Sequence, residues 1–211
     1  MAYQSIWYFT DLPQDTINTL ERELSIYDGK LKESRIYGDV INKETRKSSN
    51  GWISSDSWIA GFLWHYVQKA NRNNFLYDIS HIDGESLQYT RYGVGEFYNW
   101  HTDNSLATFH KPSFNNISSS DTLNNPKYHG ERMNQSFEQI RKLSFSLQLS
   151  DPDDYEGGNL ILLDDNNKKY VAPRQRGAIT LFDSRALHCV CKVKKGVRKS
   201  IVGWVVGPRW K

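Results

Sequence analysis

Two potential metal ligands, His101 and Asp103, stand two positions apart in the aromatic segment YNWHTDN. Alternate residues of a β-strand point to the same face, so both side chains can converge on one point. Imidazole and carboxylate groups both bind first-row transition metals. The spacing alone is a weak signal, because a surface strand that leads into a loop gives the same pattern. The pair therefore calls for a third ligand elsewhere in the chain.

That ligand is expected to be His188, which lies among apolar residues in the later segment ALHCVCKV. Two histidines and one carboxylate form a facial triad, which leaves three positions of an octahedral iron ion open for a co-substrate and oxygen. Zinc would favour a tetrahedron completed by a fourth protein or water ligand. We expect His101, Asp103 and His188 to hold one metal ion.

A candidate anion site follows ten residues beyond His188, where Arg198 opens the strand RKSIVGWVVG and Ser200 shares its face. A buried guanidinium is costly unless it meets an anion, and a carboxylate matches its planar set of donors. The lysines around Arg198 are expected to form a solvated basic turn. A carboxylate site beside the metal favours iron over zinc.

These residues must be positioned by a mainly antiparallel β fold with helices at its N-terminus. The first helix is predicted in DLPQDTINTLERELS, because Ile17, Leu20 and Leu24 repeat at spacings of three and four. A polar connection leads to a second helix, predicted in SSDSWIAGFLWHYVQKANRNN, whose apolar stripe holds Trp58, Ile59, Phe62, Leu63, Tyr66 and Val67. From about residue 75 the apolar period changes to two. The predicted strands lie in SLQYTRY, EFYNWHTD, KLSFSLQLS, GNLILL, GAITLFD, LHCVCKV and KSIVGWVVG.

The length of 211 residues fits a single domain that spans residues 1–211. Within it we expect residues 1–74 to form a helical support region and residues 75–211 to form the sheet core. The stretch 104–141 is polar and rich in turn-forming residues, which predicts a long loop of the kind that forms lids or binding elements.

The loop histidines His110 and His129 are close enough in sequence to reach the site, but histidines in loops are commonly exposed. We assign them no role. Cys189 and Cys191 alternate in one strand, where a bridge between them would strain the backbone, so both are expected to be reduced. Their parity is opposite to that of His188, which predicts small buried residues on the outer face of the sheet.

The overall composition argues against several classes of protein. Aromatic residues make up 13% of the chain, which is too many for a disordered or coiled-coil protein. A formal net charge of +3 indicates neither a nucleic-acid binder nor a membrane-surface protein. The chain has no apolar run of 18 residues, and its first residues lack the features of a signal peptide. We therefore expect a cytoplasmic protein without a membrane partner.

Taken together, these motifs resemble the Fe(II) and 2-oxoglutarate dependent dioxygenases, in particular the prolyl-4-hydroxylase-like branch and its bacterial PKHD-type hydroxylases. The pattern YxxGxxYxxHxD occurs in RYGVGEFYNWHTDN. A central strand, turn and GGxL segment is similar to LSFSLQLSDPDDYEGGNLILL, with Gly157 and Gly158 at the turn. The strand, bend and strand that deliver the distal histidine resemble GAITLFDSRALHCV. The likeness covers about residues 75–206, although the interval from Asp103 to His188 is longer than usual.

The resemblance implies a double-stranded β-helix, a cupin-like jelly roll, with Fe(II) held by His101, Asp103 and His188. It implies that 2-oxoglutarate chelates the iron while its 5-carboxylate meets Arg198, with Ser200 as a second donor. The branch often carries lysine at the position of Arg198, a difference that changes the donor geometry and not the role. O2 would be consumed and succinate and CO2 released, with ascorbate as a candidate reductant.

The resemblance also suggests roles for three aromatic residues. Tyr92 is a candidate hydrogen-bond partner of 2-oxoglutarate or, alternatively, a packed core residue. Tyr98 and Trp204 are candidates for the walls of the substrate pocket, and for Trp204 a place in the core is equally consistent with its parity. Trp100 has the opposite parity to His101 and is expected in the core or on the surface.

The reaction implied is hydroxylation of an unactivated C–H bond, most directly in a prolyl residue of a polypeptide. A free amino acid or another small metabolite is the alternative substrate. A non-catalytic jelly-roll binding module and a zinc hydrolase also remain open, although no nearby glutamate or histidine is obviously placed as a general base for hydrolysis. AlkB-like nucleic-acid demethylases carry a second arginine where this chain has Trp204, which argues against a nucleic-acid substrate. The oligomeric state is not indicated.

Overall fold

The structure is a computed structural model that describes residues 4–10, 12–34, 41–54, 56–83, 86–104, 139–164 and 166–210. The predicted loop 104–141 falls outside these residues except at its two ends. His110 and His129 lie outside them as well.

The described residues form two α-helices and fifteen strands. In chain order these are β1 (Ile6–Phe9), α1 (Gln14–Leu24), β2 (Lys32–Glu33), β3 (Arg46–Lys47), β4 (Ser49–Ser54), α2 (Trp58–Ala70), β5 (His81–Ile82), β6 (Ser86–Tyr92), β7 (Phe97–His101), β8 (Gln139–Gln148), β9 (Tyr155–Gly157), β10 (Leu160–Leu163), β11 (Lys169–Val171), β12 (Ile179–Asp183), β13 (His188–Val190), β14 (Val193–Gly196) and β15 (Arg198–Pro208). All seven strands predicted beyond residue 75 are present.

Two antiparallel sheets organise these strands within the described part of the chain. The larger has eight strands in the order β1, β12, β8, β15, β6, β4 and β2, with β5 paired to β15. The smaller has five strands in the order β11, β10, β13, β7 and β3, and β9 and β14 form a separate ribbon. A cavity is lined by residues of both sheets, so the sheets face each other across it. The predicted double-stranded β-helix is confirmed.

Both helices pack on the outer face of the larger sheet. Pro13 precedes α1, and the three apolar residues predicted to repeat along it are buried. The Ser57 side chain caps α2 by accepting a hydrogen bond from the Ile59 backbone N–H at 3.3 Å. The predicted stripe of α2 is wrong at Trp58, which is 45% exposed because it lies beside the buried row that begins at Ile59. Buried helical residues and odd-numbered residues of β8 form one apolar core: Ile17, Leu20, Leu24, Ile59, Leu63, Val67, Leu143, Phe145 and Leu147.

A second, smaller core lies between the two sheets. It contains apolar residues from strands of both sheets and from the β9–β14 ribbon, some of which line the cavity: Tyr92, Leu160, Leu162, Phe182, Val190 and Val193. Burial of such side chains contributes about 1.5–3 kcal/mol each relative to exposure. This core holds the sheets at the spacing on which the cavity depends.

The N-terminal region is not helical support alone, in contrast to the prediction for residues 1–74. Strand β1 pairs with β12, and β4 pairs with β6, so both extend the larger sheet. Strand β3 pairs with β7 at the edge of the smaller sheet. The sequences of β3 (RK) and β4 (SNGWIS) give no clear apolar period, and both strands are fixed by partners far along the chain. Neither described helix is both long and apolar enough to span a lipid bilayer.

Candidate metal centre and adjoining cavity

Neighbouring strands of the smaller sheet bring the three predicted ligand residues together. Strands β7 and β13 pair so that His188 lies opposite His101. Asp103 follows two residues after His101, where its backbone N–H donates to the carbonyl of Ser184 at 2.8 Å. One ligand atom from each of the three residues lies within 4.8 Å of the other two. Nε2 of His101 is 3.7 Å from Asp103 Oδ1, and Nε2 of His188 is 3.3 Å from Asp103 Oδ2.

The outer hydrogen bonds of these residues fit a metal site. Nδ1 of His101 lies 2.7 Å from the Asn99 carbonyl oxygen, and Nδ1 of His188 lies 3.0 Å from that of Ala186. A carbonyl oxygen only accepts, so each Nδ1 carries the proton, and each Nε2 can offer its lone pair. Such bonds orient metal-binding histidines in known sites.

The carboxylate is held in a comparable way by the larger sheet. The Ser144 hydroxyl donates to Asp103 Oδ2 at 2.8 Å and lies 3.0 Å from the Ser184 hydroxyl. Ser144 and Ser184 are both fully buried. The bond from Ser144 leaves the orientation of the Asp103 carboxylate fixed before any ion binds.

Electrostatics favour a cation at this cluster. Burial and the neighbouring His188 lower the pKa of His101 to about 4, so this imidazole is neutral at pH 7. Burial alone would raise the pKa of Asp103, but the charge and hydrogen bond of His188 hold it well below its usual range. Burial likewise opposes the charge on His188, yet Asp103 raises the pKa of His188 above its ordinary value. A divalent ion can take the place of that proton between the two side chains.

The cluster of ligand residues opens into a cavity between the two sheets. Apolar residues form part of its wall: Phe145, Leu160, Phe182, Val190 and Val202. The predicted anion-binding residue Arg198 lines the same cavity, as do Tyr92, Tyr98 and Trp204. The structure therefore gathers most of the predicted site residues around one space.

Arg198 is a buried cation, 4% exposed, at the start of β15. No described carboxylate lies within ion-pair distance of it, and its Nη1 is 3.4 Å from the Ser200 hydroxyl. Its Cζ lies 5.7 Å from the ring centre of Tyr92, the residue opposite it on β6. Burial lowers the pKa of Arg198, although an arginine remains charged at neutral pH. A buried guanidinium without a counter-ion is a site for an anionic ligand.

The glycine predicted at a tight turn makes room for this arginine. Gly158 has φ +62°, and a Cβ there would lie 3.3 Å from Arg198 Cδ and 3.0 Å from Val193 Cγ2. A second, small pocket is also lined by Arg198. Polar residues that the sequence did not single out line it, namely Gln148, Tyr155, Arg174 and Thr180.

The aromatic residues divide between the cavity and the surface. The ring of Tyr98 stacks on His101 with centroids 3.5 Å apart, and burial raises the pKa of Tyr98, which keeps its phenol neutral. Trp204 lies under the Arg141 guanidinium, 4.2 Å from its ring centre, and near Trp52. Its Nε1 is buried without a hydrogen-bond partner among the described residues. Trp100 is 42% exposed and does not line the cavity.

Two residues of the site carry no obvious signal in the sequence. Ser144 belongs to the polar face of β8, which points into the molecule rather than to solvent. Arg46 lies on the two-residue strand β3 and lines the cavity with its buried guanidinium. The alternation in KLSFSLQLS is the only sequence signal for Ser144, and no local pattern indicates Arg46.

Comparison with known proteins gives matches over most of the chain. Residues 87–206 match the family model of the 2OG-Fe(II) oxygenase superfamily. A PKHD-type hydroxylase of Picosynechococcus sp. is 29% identical over 194 residues, which cover 90% of this chain and 71% of that protein. A PKHD-type hydroxylase of Synechococcus elongatus is 32% identical over 159 residues, which cover 74% of this chain and 59% of that protein. The matched regions thus span between 59% and 71% of these relatives.

Solved structures match the fold over almost the whole chain. A prolyl-4-hydroxylase of Pseudomonas putida aligns with a TM-score of 0.67 at 18% identity and covers 98% of this chain and 94% of its own. A prolyl hydroxylase of Trichoplax adhaerens, in complex with a peptide fragment of the hypoxia inducible factor oxygen degradation domain, aligns with a TM-score of 0.67 at 16% identity. That match covers 95% of this chain and 83% of the other. At these identities the likeness is one of fold.

Proposed function

Because the chain belongs to the 2OG-Fe(II) oxygenase superfamily, we propose that it hydroxylates an unactivated C–H bond in a prolyl residue of a polypeptide. The reaction consumes O2 and 2-oxoglutarate and releases succinate and CO2. One observation carries the proposal: the cluster of His101, Asp103 and His188 shares one cavity with the guanidinium of Arg198, which has no described counter-ion. A metal site and an anion site in one cavity suit a co-substrate that chelates iron and ends in a carboxylate.

In this proposal Nε2 of each histidine and the carboxylate of Asp103 hold Fe(II). When bound, Fe(II) and 2-oxoglutarate supply the oxidising chemistry, in which one oxygen atom enters succinate and the other enters the substrate. Arg198 would donate hydrogen bonds to the 5-carboxylate of 2-oxoglutarate, and the hydroxyls of Ser200 and Tyr92 would be further donors. The chain itself binds and orients the substrates and excludes water from the site.

The chain's own groups are placed for those tasks. Phe182, Leu160 and Val190 keep the space between the three metal-ligand residues and Arg198 apolar. An apolar surrounding strengthens the attraction between Arg198 and a carboxylate. Tyr98 braces the imidazole of His101 by stacking on it. Because Ser144 holds Asp103, little reorganisation of the ligands is needed when an ion binds.

The prolyl substrate is supported by the character of the cavity and by the relatives. Tyr98 and Trp204 offer flat faces on which a pyrrolidine ring can pack. The buried Nε1 of Trp204, which has no acceptor among the described residues, is a donor suited to a peptide carbonyl. The peptide complex of the Trichoplax adhaerens enzyme supports a polypeptide over a small metabolite.

The test is reconstitution with Fe(II) and 2-oxoglutarate under anaerobic conditions, followed by addition of air and a panel of proline-containing peptides. We expect a weak visible charge-transfer band before air is admitted. Afterwards we expect succinate and a peptide that has gained one oxygen atom at proline, measured by mass spectrometry. Replacing Fe(II) with Zn(II) should abolish both products, which separates an oxygenase from a zinc hydrolase. A protein that binds peptides but never forms succinate would instead be a binding module.

A further inference from the structure

We propose that Arg46 recognises a carboxylate group of the substrate and so restricts this enzyme to substrates that carry a negative charge close to the hydroxylated carbon. The inference rests on the proposed hydroxylase function and narrows its substrate class. It comes from a cation on the wall of the cavity that neither the metal nor 2-oxoglutarate uses.

Arg46 reaches the cavity from the smaller sheet and crosses to the larger one. It lies opposite Tyr98 in the pairing of β3 with β7, and its Cζ is 4.8 Å from the Tyr98 ring centre. Its Nε donates to the Ser48 hydroxyl at 2.9 Å, and its Nη2 donates to Gln88 Oε1 at 2.7 Å. These two bonds fix the plane of the guanidinium and leave its remaining N–H groups for another acceptor.

The charge of Arg46 has no counter-ion in the described part of the chain. The side chain is 6% exposed, and both of its hydrogen-bond partners are neutral. By contrast, each of three other arginines forms an ion pair: Arg141 with Asp83, Arg176 with Glu21, and Arg185 with Asp183. Arg46 and Arg198 are thus the two cavity residues whose buried guanidinium has no described counter-ion. The proposed function assigns Arg198 to 2-oxoglutarate.

The formal charge of the loaded cavity leads to the same result. The charged lining residues are Asp103, Arg46 and Arg198, since His101 and His188 are neutral when they bind a metal. With Fe(II) and doubly charged 2-oxoglutarate added, the cavity carries one unpaired positive charge. A single carboxylate on the substrate would neutralise it, and an arginine fork is the donor geometry that a carboxylate prefers.

A purely structural role is the competing account, because Arg46 joins the two sheets through Gln88. The two accounts differ in what substitution does. Loss of a structural link would weaken the binding of every substrate by a similar factor. Loss of a carboxylate site would weaken only the charged members of otherwise matched pairs.

The experiment measures binding and not turnover, by calorimetry on the Fe(II) and 2-oxoglutarate loaded enzyme without oxygen. Three matched pairs each differ by one charge: a peptide that ends in proline as free acid or as amide, an internal prolyl peptide with Asp or Asn beside the proline, and free proline or prolinamide. We expect the acid of at least one pair to bind roughly 10- to 100-fold more tightly, the range for one charge-assisted hydrogen bond. The pair that responds identifies where the carboxylate resides.

Arg46→Gln should bring the ratio of the affinities for acid and amide close to one, while 2-oxoglutarate still binds. Lys47→Gln is the matched control, because it removes the same charge from the adjacent exposed position and should keep the preference. If Arg46→Gln does not fold, Arg46→Lys carries the test, since an ammonium without the planar fork should reduce the preference but not abolish it.

Equal binding of acid and amide in all three pairs would overturn the inference, as would an equal loss for both members in the Arg46 variants. The proposed function is tested separately by succinate formation. Succinate without a carboxylate preference would leave the hydroxylase intact and remove the role of Arg46. A preference that depends on Arg46 in a protein that forms no succinate would do the reverse.

Discussion

The two facing sheets contribute different halves of the candidate site. The smaller sheet carries both histidines on paired strands, so their separation is set by hydrogen-bond register. The larger sheet carries Arg198 and Trp204 on β15, so their distance from the metal cluster is set by how the sheets pack across the inner core. Metal binding and co-substrate binding should therefore respond to different substitutions, although both take place in one cavity.

The largest expected effect comes from the smaller sheet. His188→Ala should abolish Fe(II) binding and with it all 2-oxoglutarate turnover, because the remaining Asp103 and His101 offer two ligands in place of three. Metal content after dialysis, measured by elemental analysis, checks this. His81→Ala is the control, because this exposed histidine lies on β5 at a distance from the cavity lining. A variant that retained stoichiometric iron would show that His188 is not a ligand.

Arg198→Gln tests the larger sheet and should leave the metal affinity unchanged. Truncating one partner of a buried charge pair costs about 3 kcal/mol, or roughly 100-fold in the KM for 2-oxoglutarate. Arg198→Lys should lose less, because the charge stays while the fork is lost. Kinetics at saturating Fe(II) separate the two variants. If iron affinity fell along with 2-oxoglutarate affinity, the division of labour between the sheets would be wrong.

Ser144→Ala tests a contact between the two halves of the site. Its hydroxyl belongs to the larger sheet but bonds the carboxylate that serves the metal. Loss of a bond that orients a metal ligand typically costs about 10- to 100-fold in metal affinity. Competition with a chelator of known affinity measures it. An unchanged Fe(II) affinity would mean that the main chain around Asp103 suffices to hold the carboxylate.

The sequence could predict the residues that depend on local periodicity. Strands predicted from period two place His101 and Asp103 near each other, and a segment with the same period supplies His188. Strand β8 was also predicted, but its serines were not seen as part of the site. Alternation tells which residues share a face without telling whether the polar face meets solvent or a cavity, and in β8 it meets the cavity.

Arg46 could not have been found in the same way. Its strand has two residues, which is too short for any period, and it joins the smaller sheet only by pairing with β7 far along the chain. Strand β4 is hidden for a related reason, since its sequence SNGWIS has no clear period and its place is fixed by pairing with β6. What the sequence lacks is therefore the set of contacts at sheet edges, which is where the N-terminal region reaches the cavity.

The smallest effect should come from Ser200→Ala, and its value lies in the match with Ser144→Ala. Both substitutions remove one buried hydroxyl from the larger sheet, at sites that are each fully buried. The contact from Arg198 Nη1 to the Ser200 hydroxyl is long, 3.4 Å, so its loss should raise the KM for 2-oxoglutarate by only about two- to threefold. Iron affinity should not change in Ser200→Ala, whereas a lower iron affinity should be the main effect of Ser144→Ala. If both serine variants altered the same constant, either the iron affinity or the KM for 2-oxoglutarate, the contributions of the two sheets would not be separable.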